Sequence, residues 1–304
     1  MPLAAEISGI RRTVLILLLA AGLAGSYLLS AALGQQARAA QEAQADRIAQ
    51  QLTATFALLL DAANGPLRSL ATLFNGSGRV SAKEFADTVD FIRQQGAPMP
   101  GGLGFLVRGE GADCVAAEDC WMVAYSTVAQ GLLQPGADLS RFNPTRATIG
   151  TALAEEDTLR IGPPFQQAAG DKSSFCAVTI KNTRQFGVLV SRIDYARLVE
   201  NLTAQWGVAG LALRLAAAFP QGDAMSDYEL IYGAAEPPPE AVRSLSTSAE
   251  AFGARFRLSW DVLPEFAAGP VAYLPRAVLL AGVALTLLVT LSVWVWFSRT
   301  APKT

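Results

Sequence analysis

The side chains best suited to chemistry in this sequence gather around one stretch, Gly136 to Phe165. Thr145 and Arg146 stand side by side just after Asn143-Pro144, a hydroxyl beside a fixed positive charge. Arg146 admits two readings. Its planar guanidinium pairs with an anionic ligand, or it holds the corner together by bonding Asp138 or helix-end carbonyls. Thr145, together with Tyr125 and Ser126, offers directed hydrogen bonds to a small molecule. Phe105, Tyr125, Phe165 and Phe175 either line a pocket or fill a core, since strand aromatics serve in both. This set suits binding and not reaction. There is no nucleophile elbow and no phosphate-cradling glycine loop. The chain has no histidine at all, which removes His-based triads, His metal ligands and a phosphoaccepting histidine. No catalytic residue, metal or cofactor is expected, and Glu155-Glu156-Asp157 is most simply a solvated helix face.

Three cysteines are present. Cys114 and Cys120 lie six apart at the root of a hairpin, a spacing that suits a disulfide in an oxidising compartment. Cys176 lies on an apolar strand and reads as a small buried side chain.

The elements that must position these residues follow from periodicity. Gly101 to Val107 and Trp121 to Val128 read as strands, as do Ser174 to Ile180 and Phe186 to Ile193. A helix follows over Asp194 to Gln205, with Asp194 as its N-cap. Two strand pairs on either side of a helical excursion predict an antiparallel sheet in a PAS-like order, with the excursion covering the face where small molecules are enclosed. A shorter repeat of the pattern begins near Val208 and predicts a second, smaller unit.

Upstream, Ile48, Leu52, Phe56, Leu59, Ala63, Leu70 and Leu73 recur at three- and four-residue steps, an amphipathic stripe. It packs on its own domain or forms a parallel dimer seam. Gly65-Pro66 is expected to kink this helix without ending it. Ser81 and Glu84 predict a capping box, with Val80 and Phe85 as its hydrophobic staple.

Hydrophobic residues make up 51% of the 304-residue chain, and the mean hydropathy is +0.30. Two uncharged runs account for this, Thr13 to Leu33 and Ala277 to Phe297. Each is long enough as a helix to cross a hydrocarbon core of about 30 Å. Arg11-Arg12 precede the first, and Arg299 and Lys303 follow the second. The positive-inside rule therefore puts both termini in the cytoplasm and the middle outside. A cleaved signal peptide is the competing reading of the first run; its length and helical continuation favour an uncleaved anchor. A net charge of −2 gives no basic field for nucleic acid.

The expected fold is α+β, a long N-terminal stalk helix and two PAS-like subdomains between two transmembrane helices. The expected map is 1–12 cytoplasmic, 13–33 first span, 34–95 stalk and helical region, 96–193 membrane-distal sensor subdomain, 194–276 membrane-proximal subdomain, 277–297 second span and 298–304 cytoplasmic tail. Neither terminal segment is long enough for an output domain. Output is expected from a partner, or from a module in a longer chain of which this is the sensor part.

Several short motifs fall in an order that resembles the CHASE family of extracytoplasmic sensor domains. They are Leu67-Arg68-Ser69-Leu70-Ala71-Thr72-Leu73-Phe74, Val80-Ser81 with Glu84-Phe85, Gly136 with Asp138-Leu139, Pro144 with Arg146, and Pro164-Phe165. Phe186-Gly187-Val188-Leu189-Val190 and Leu198-Val199-Glu200-Asn201-Leu202 complete the set, which spans residues 60 to 265. The resemblance implies a small ligand in the membrane-distal subdomain of a homodimer. It also implies signalling across a bacterial inner membrane to a histidine kinase, a cyclic-dinucleotide enzyme or an adenylate cyclase. Plant members of that family bind adenine-type cytokinins through an acidic residue just before the arginine. Thr145 occupies that position here, and a neutral hydroxyl cannot make the same charge-assisted bond. Phe175-Cys176-Ala177-Val178 stands in place of the family's Pro-Val-Tyr segment. The alternative from another class is a structural or accessory subunit of a membrane complex, which would show a large apolar surface in place of a pocket.

Overall fold

The first sixty residues contain no proline after Pro2 and adopt one helix, α1 (Pro2–Ala63). The computed structural model describes residues 2–96, 98, 100–109, 120–155, 157–167, 170–182, 184–206, 209–221, 224–267 and 273–299. Pro66 lacks an N–H and would clash with a preceding carbonyl inside a continuous helix, but it costs nothing in a first turn. The chain takes the second option. It breaks at Asn64 and restarts as α2 (Gly65–Gly76), with Pro66 in the opening turn. The predicted kink is therefore an interruption.

Asn64 is fully buried at this break. Its Nδ2 donates to the Leu60 carbonyl at 3.0 Å, and its Oδ1 accepts from Ser191 Oγ at 3.0 Å. The buried stripe runs Ala45, Ala49, Leu52, Phe56, Leu60, then Leu67, Leu70 and Phe74. Leu59 and Leu73, expected on this face, are only half-buried. Steps of three and four both satisfy a 3.6-residue period, and the four-residue steps 56 to 60 and 70 to 74 prevail. The stripe packs on its own chain, with Phe56 edge-on to Phe256 at 5.4 Å.

Helix α3 (Ala82–Gln94) opens with the predicted capping box: Ser81 accepts from the Glu84 N–H, and Glu84 accepts from the Ser81 N–H. Val80 and Phe85 are both buried, as a staple requires.

Strands β1 (Leu103–Arg108) and β2 (Trp121–Ser126) form the first pair. A short 3-10 turn (Leu139–Arg141) then leads into α4 (Asn143–Ala154). Strands β3 (Arg160–Ile161), β4 (Phe165–Gln166), β5 (Lys172–Lys181) and β6 (Phe186–Asp194) follow. The sheet path is β2-β1-β6-β5-β3, with β4 also on β5, and every pair is antiparallel. Counted in chain order, the path strands read second, first, fifth, fourth, third, the PAS-like arrangement.

Helix α5 (Tyr195–Trp206) follows, and the Arg197 N–H donates to the Asp194 carboxylate at its start. Strands β7 (Leu211–Ala218), β8 (Pro220–Gln221), β9 (Ala224–Met225), β10 (Glu229–Tyr232), β11 (Arg243–Ala251) and β12 (Ala254–Val262) follow. The second sheet has the path β10-β7-β12-β11, second, first, fourth, third, so it repeats the first sheet's winding with one strand fewer; β8 and β9 pair separately. Its buried Asp261 takes two bonds from Arg214, at 2.7 and 3.0 Å, and one from Ser244.

A short helix, α6 (Pro264–Ala267), precedes α7 (Leu274–Arg299). The chain divides into two compact units, Ile48–Leu263 and the terminal pair Met1–Arg47 with Pro264–Thr304. Two helices, one at each end, are long and apolar enough to cross a membrane. Within the terminal unit, a Cβ at Gly22 would lie 2.4 Å from Thr286 Cγ2, and one at Gly282 would lie 2.4 Å from Ser26 Oγ. These reciprocal glycines let two backbones approach as small-residue pairs do in lipid. Gly22 and Ser26 on α1 face Thr286 and Gly282 on α7.

Asn64 and Ser191 satisfy each other in a place water does not reach. Ser191→Ala leaves Asn64 Oδ1 unpaired and is expected to cost about 1–3 kcal/mol. Thermal denaturation of the full chain should show a melting point lower by several degrees; an unchanged melting point would show that the pair holds nothing.

Candidate functional site

The first sheet has two covered faces, and alternation decides which side chains reach each. Phe105 points to the α2–α3 side, where it lies 4.4 Å from Phe74 and stacks on Tyr125 at 5.8 Å. Leu106 points to the opposite side and joins the core beneath α4, with Trp121, Val123, Val188, Val190, Phe175 and Ala177. A bulge at Phe105/Leu106 changes the register, so Tyr125 pairs with Phe105 while Val123 pairs with Leu106. That bulge separates Tyr125 from its strand neighbours and places it under α3, against Phe85, with its hydroxyl donating to the Val80 carbonyl at 3.2 Å.

The predicted site residues therefore fall into two groups. Phe105 and Tyr125 belong to the α2–α3 face. Ser126, at the end of β2, donates to the Leu103 carbonyl and accepts from the Val128 N–H, both local bonds. Phe165, Phe175 and Thr145 belong to the α4 side. Phe165 stacks on Phe175 at 4.9 Å, and Phe142 meets Phe165 edge-on at 5.1 Å. These rings, with Leu139 and Ile149, fill the space between α4 and the sheet.

Helix α4 presents Thr145, Thr148, Ile149 and Ala152 as its buried face, a 0, 3, 4, 7 spacing. Thr148 donates to the Pro144 carbonyl at 2.7 Å, and Thr179 on β5 donates to the Ala152 carbonyl at 2.7 Å. Thr145 is fully buried, and its hydroxyl has no hydrogen-bond partner. Helix and sheet meet so closely that a Cβ at Gly162 would overlap Thr148 Oγ1. The Gly162-Pro163-Pro164 run thus holds a glycine required by contact.

Arg146 is exposed, with Nη2 3.4 Å from Asn143 Oδ1. The carboxylate of Asp138 goes instead to Arg141 at 3.0 Å and to Ser140. The 3-10 turn explains this, because it brings residue i+3 back to the carboxylate, whereas Arg146 lies on the outer face of the next helix. Burial pushes the Asp138 carboxyl up, but the Ser140 bonds and Arg141 outweigh it and hold the group below its ordinary value.

Cys114 lies outside the described residues; Cys120 is disulfide-bonded and Cys176 is a free, buried thiol. Burial raises the Cys176 thiol far above its ordinary range, which suits an inert core side chain. Glu156 also lies outside the described residues.

Three open clefts mark the Ile48–Leu263 unit, of about 910, 650 and 180 Å³, and their linings contain none of the predicted site residues. The largest lies between β5, α5 and the β7–β10 edge. Lys172 there bonds Glu229 at 2.6 Å and the Leu230 carbonyl at 2.8 Å, and Arg214 is held by Asp261.

No protein-family model matches the chain, and no curated protein matches it. Solved structures with a similar outline include the ligand-binding domain of the Pseudomonas aeruginosa PAO1 amino acid chemoreceptor PctC in complex with GABA. That match has 13% identity and a TM-score of 0.46, covering 71% of this chain and 98% of that one. The periplasmic sensory domain of the Campylobacter jejuni chemoreceptor Tlp1 shares 10% identity at a TM-score of 0.43, with 74% and 94% covered. The ligand-binding domain of the Pseudomonas fluorescens chemoreceptor CtaA, in complex with L-isoleucine, shares 13% at 0.39, with 78% and 94% covered.

Gly162→Ala is expected to destabilise the protein by about 1–3 kcal/mol through overpacking against Thr148. Adding Thr148→Ala should restore part of that loss, which denaturant titration of the three variants will show. Asp138 has a lowered folded value, so its contribution to stability is present above about pH 4 and is lost as pH falls through that value. Asp138→Asn should be less stable than the parent at pH 7, and the difference should narrow as pH falls below about 4. A gap that does not narrow as the pH is taken below about 4 would refute the assignment to this carboxylate.

Proposed function

We propose that this chain is a membrane-anchored sensor that binds a small molecule on the α4 side of its first sheet. The observation that carries the reading is the Thr145 hydroxyl, fully buried and unpaired. Such a group costs about 1–3 kcal/mol, and it marks a place where a water or a ligand completes the structure. The PAS-like winding of the sheet and the apolar helix at each end support the same reading. Phe165 and Phe175 are the apolar part of the subsite, and Thr145 is its polar part. Residues 96–193 are the ligand-binding subdomain and 194–276 the membrane-proximal one. The domain lies outside the cytoplasm of a bacterial inner membrane, and the two spans pass the signal of a homodimer to a histidine kinase or cyclase. Within this reading the CHASE-like motif order is retained, and Thr145 makes the ligand one that needs no acidic anchor.

The packed rings of Phe142, Phe165 and Phe175 favour a second reading, an accessory subunit whose sensor fold serves only for docking. Exposed Leu58 and Phe91, at 70% and 59%, are apolar surface of the kind docking uses.

Full-length protein in lipid nanodiscs, screened by thermal shift against a metabolite panel, separates the two. The sensor reading expects a saturable hit that Thr145→Val weakens by about three- to tenfold, the worth of one hydrogen bond. Thr145→Val without ligand should melt at the same temperature or higher, since it removes an unpaired hydroxyl. An absence of hits, with a second protein held at fixed stoichiometry in detergent, would favour the accessory subunit.

A further inference from the structure

The turn of the β11–β12 hairpin makes local sense only in part. It consists of two residues, Phe252 and Gly253, between the paired Ala251 and Ala254, and both have positive φ, +51° and +82°. A two-residue hairpin turn of this kind favours Asn or Asp before Gly, and a bulky residue at positive φ is an outlier. Phenylalanine is therefore kept here against the preference of the turn itself.

Its contacts give a reason. The Arg68 guanidinium of α2 lies 5.4 Å from the centre of the Phe252 ring. The Phe252 carbonyl accepts the Ile161 N–H of β3 at 3.0 Å. Gly253 backs onto Arg160 so closely that a Cβ would lie 2.5 Å from Arg160 Nη1. The tip of the second sheet is thus seated in a corner made by α2 and β3 of the first.

That corner adjoins α4. Ile161 donates to the hairpin, and the next residue, Gly162, is the one pressed against Thr148. A single peptide unit separates helix α4 from the second sheet. A side-chain route runs beside it, because Glu155 at the C-terminal end of α4 pairs with Arg160. The first sheet's core lies around Phe175 and Val190, the second sheet buries Phe256, Leu258 and Trp260, and a further link between the sheets is Lys172 of β5, bonded to Glu229 and the Leu230 carbonyl of β10.

We propose that the Phe252–Gly253 turn is a latch that passes displacement of α4 to β12, the strand from which the chain continues towards α7. Its use in signalling rests on the sensor reading above; the mechanical coupling does not. An α4 shifted by a ligand moves Gly162 and with it the Ile161 N–H. The ring held under Arg68 keeps the hairpin tip engaged while that happens.

Hydrogen exchange by mass spectrometry on the full chain in nanodiscs tests the coupling without any ligand. Ile149→Ala loosens α4 from its core. In the parent it should raise exchange both in residues 143–162 and, by about fivefold, in 254–262, the size of an ordinary coupling. Phe252→Asn suits the turn better and removes the ring, so the hairpin should stay as protected as before. In that background Ile149→Ala should still loosen 143–162, while the rise in 254–262 falls below about twofold. If Phe252→Asn alone exposes 243–262, Arg68→Gln removes the other half of the contact from outside the hairpin, with the same expectation. A rise in 254–262 that survives loss of the contact, or never occurs in the parent, overturns the latch. Failure of a ligand screen would leave these results standing, and failure of the latch would leave the subsite untouched.

Discussion

A proline that cannot donate a hydrogen bond fixes where the long helix stops, and much of the described structure depends on that stop. Pro66 forces a break, the break buries Asn64, and a buried amide must find partners. Leu60 and Ser191 supply them. The bond to Ser191 sets the rotation of α1 against β6, the middle strand of the first sheet. Thr53 lies eleven residues earlier, about three turns, and so shares the same face of the helix. It meets Thr247 Oγ1 at 2.6 Å, and Phe56 meets Phe256. One helix face is therefore in register with both sheets, and a change of phase at Asn64 would take both contacts out of place together.

The two threonines on the buried face of α4 show how position within a helix decides whether a hydroxyl is finished. Thr148 has a helical carbonyl four residues before it, at Pro144, and bonds to it. Thr145 stands in the first turn, where the residue four before is Arg141, outside the helix. Its hydroxyl therefore depends on something other than its own helix. That difference makes Thr145 a candidate for contact with a ligand and Thr148 a structural residue, although the two have the same side chain one turn apart.

What was legible in the sequence was mostly local. The capping box at Ser81 needs only residues within one turn, and the long strands β5 and β6 announce themselves by continuous apolar runs. What was not legible depended on counting across a break or a bulge. The buried stripe takes Leu60 and Phe74 in place of Leu59 and Leu73, because a 3.6-residue period permits either step. The aromatic set divides between opposite faces because a bulge in β1–β2 turns Tyr125 away from Val123. Asp138 is one of the partners the sequence offers Arg146, but a 3-10 turn gives that carboxylate to Arg141. The short strands β3 and β4 carry no periodicity, and the need for glycine at 162 comes from a helix that approaches it from elsewhere in the chain. The phenylalanine before glycine at the β11–β12 turn went unread too, because its reason lies in Arg68 and Ile161, far away in the chain.

The two sheets share a winding but differ in how completely their polar groups are satisfied. In the second, the one fully buried carboxylate, Asp261, is completed by Arg214 and Ser244, and these pull it below its ordinary value against the opposing effect of burial. In the first and the helices packed on it, buried atoms without a close partner recur at Thr145 Oγ1, Arg160 Nε and Arg192 Nε, while Tyr195 OH and Ser174 Oγ face each other. Among the described residues every such atom lies between Thr145 and Tyr195, and none lies on β7 to β12. Each unpaired group lowers the cost of an alternative arrangement that would pair it, so the first sheet is the part with somewhere to go. That asymmetry suits the proposed sensor: a first half in which a bound molecule would change the balance, and a second sheet that would receive the change through the Phe252–Gly253 turn.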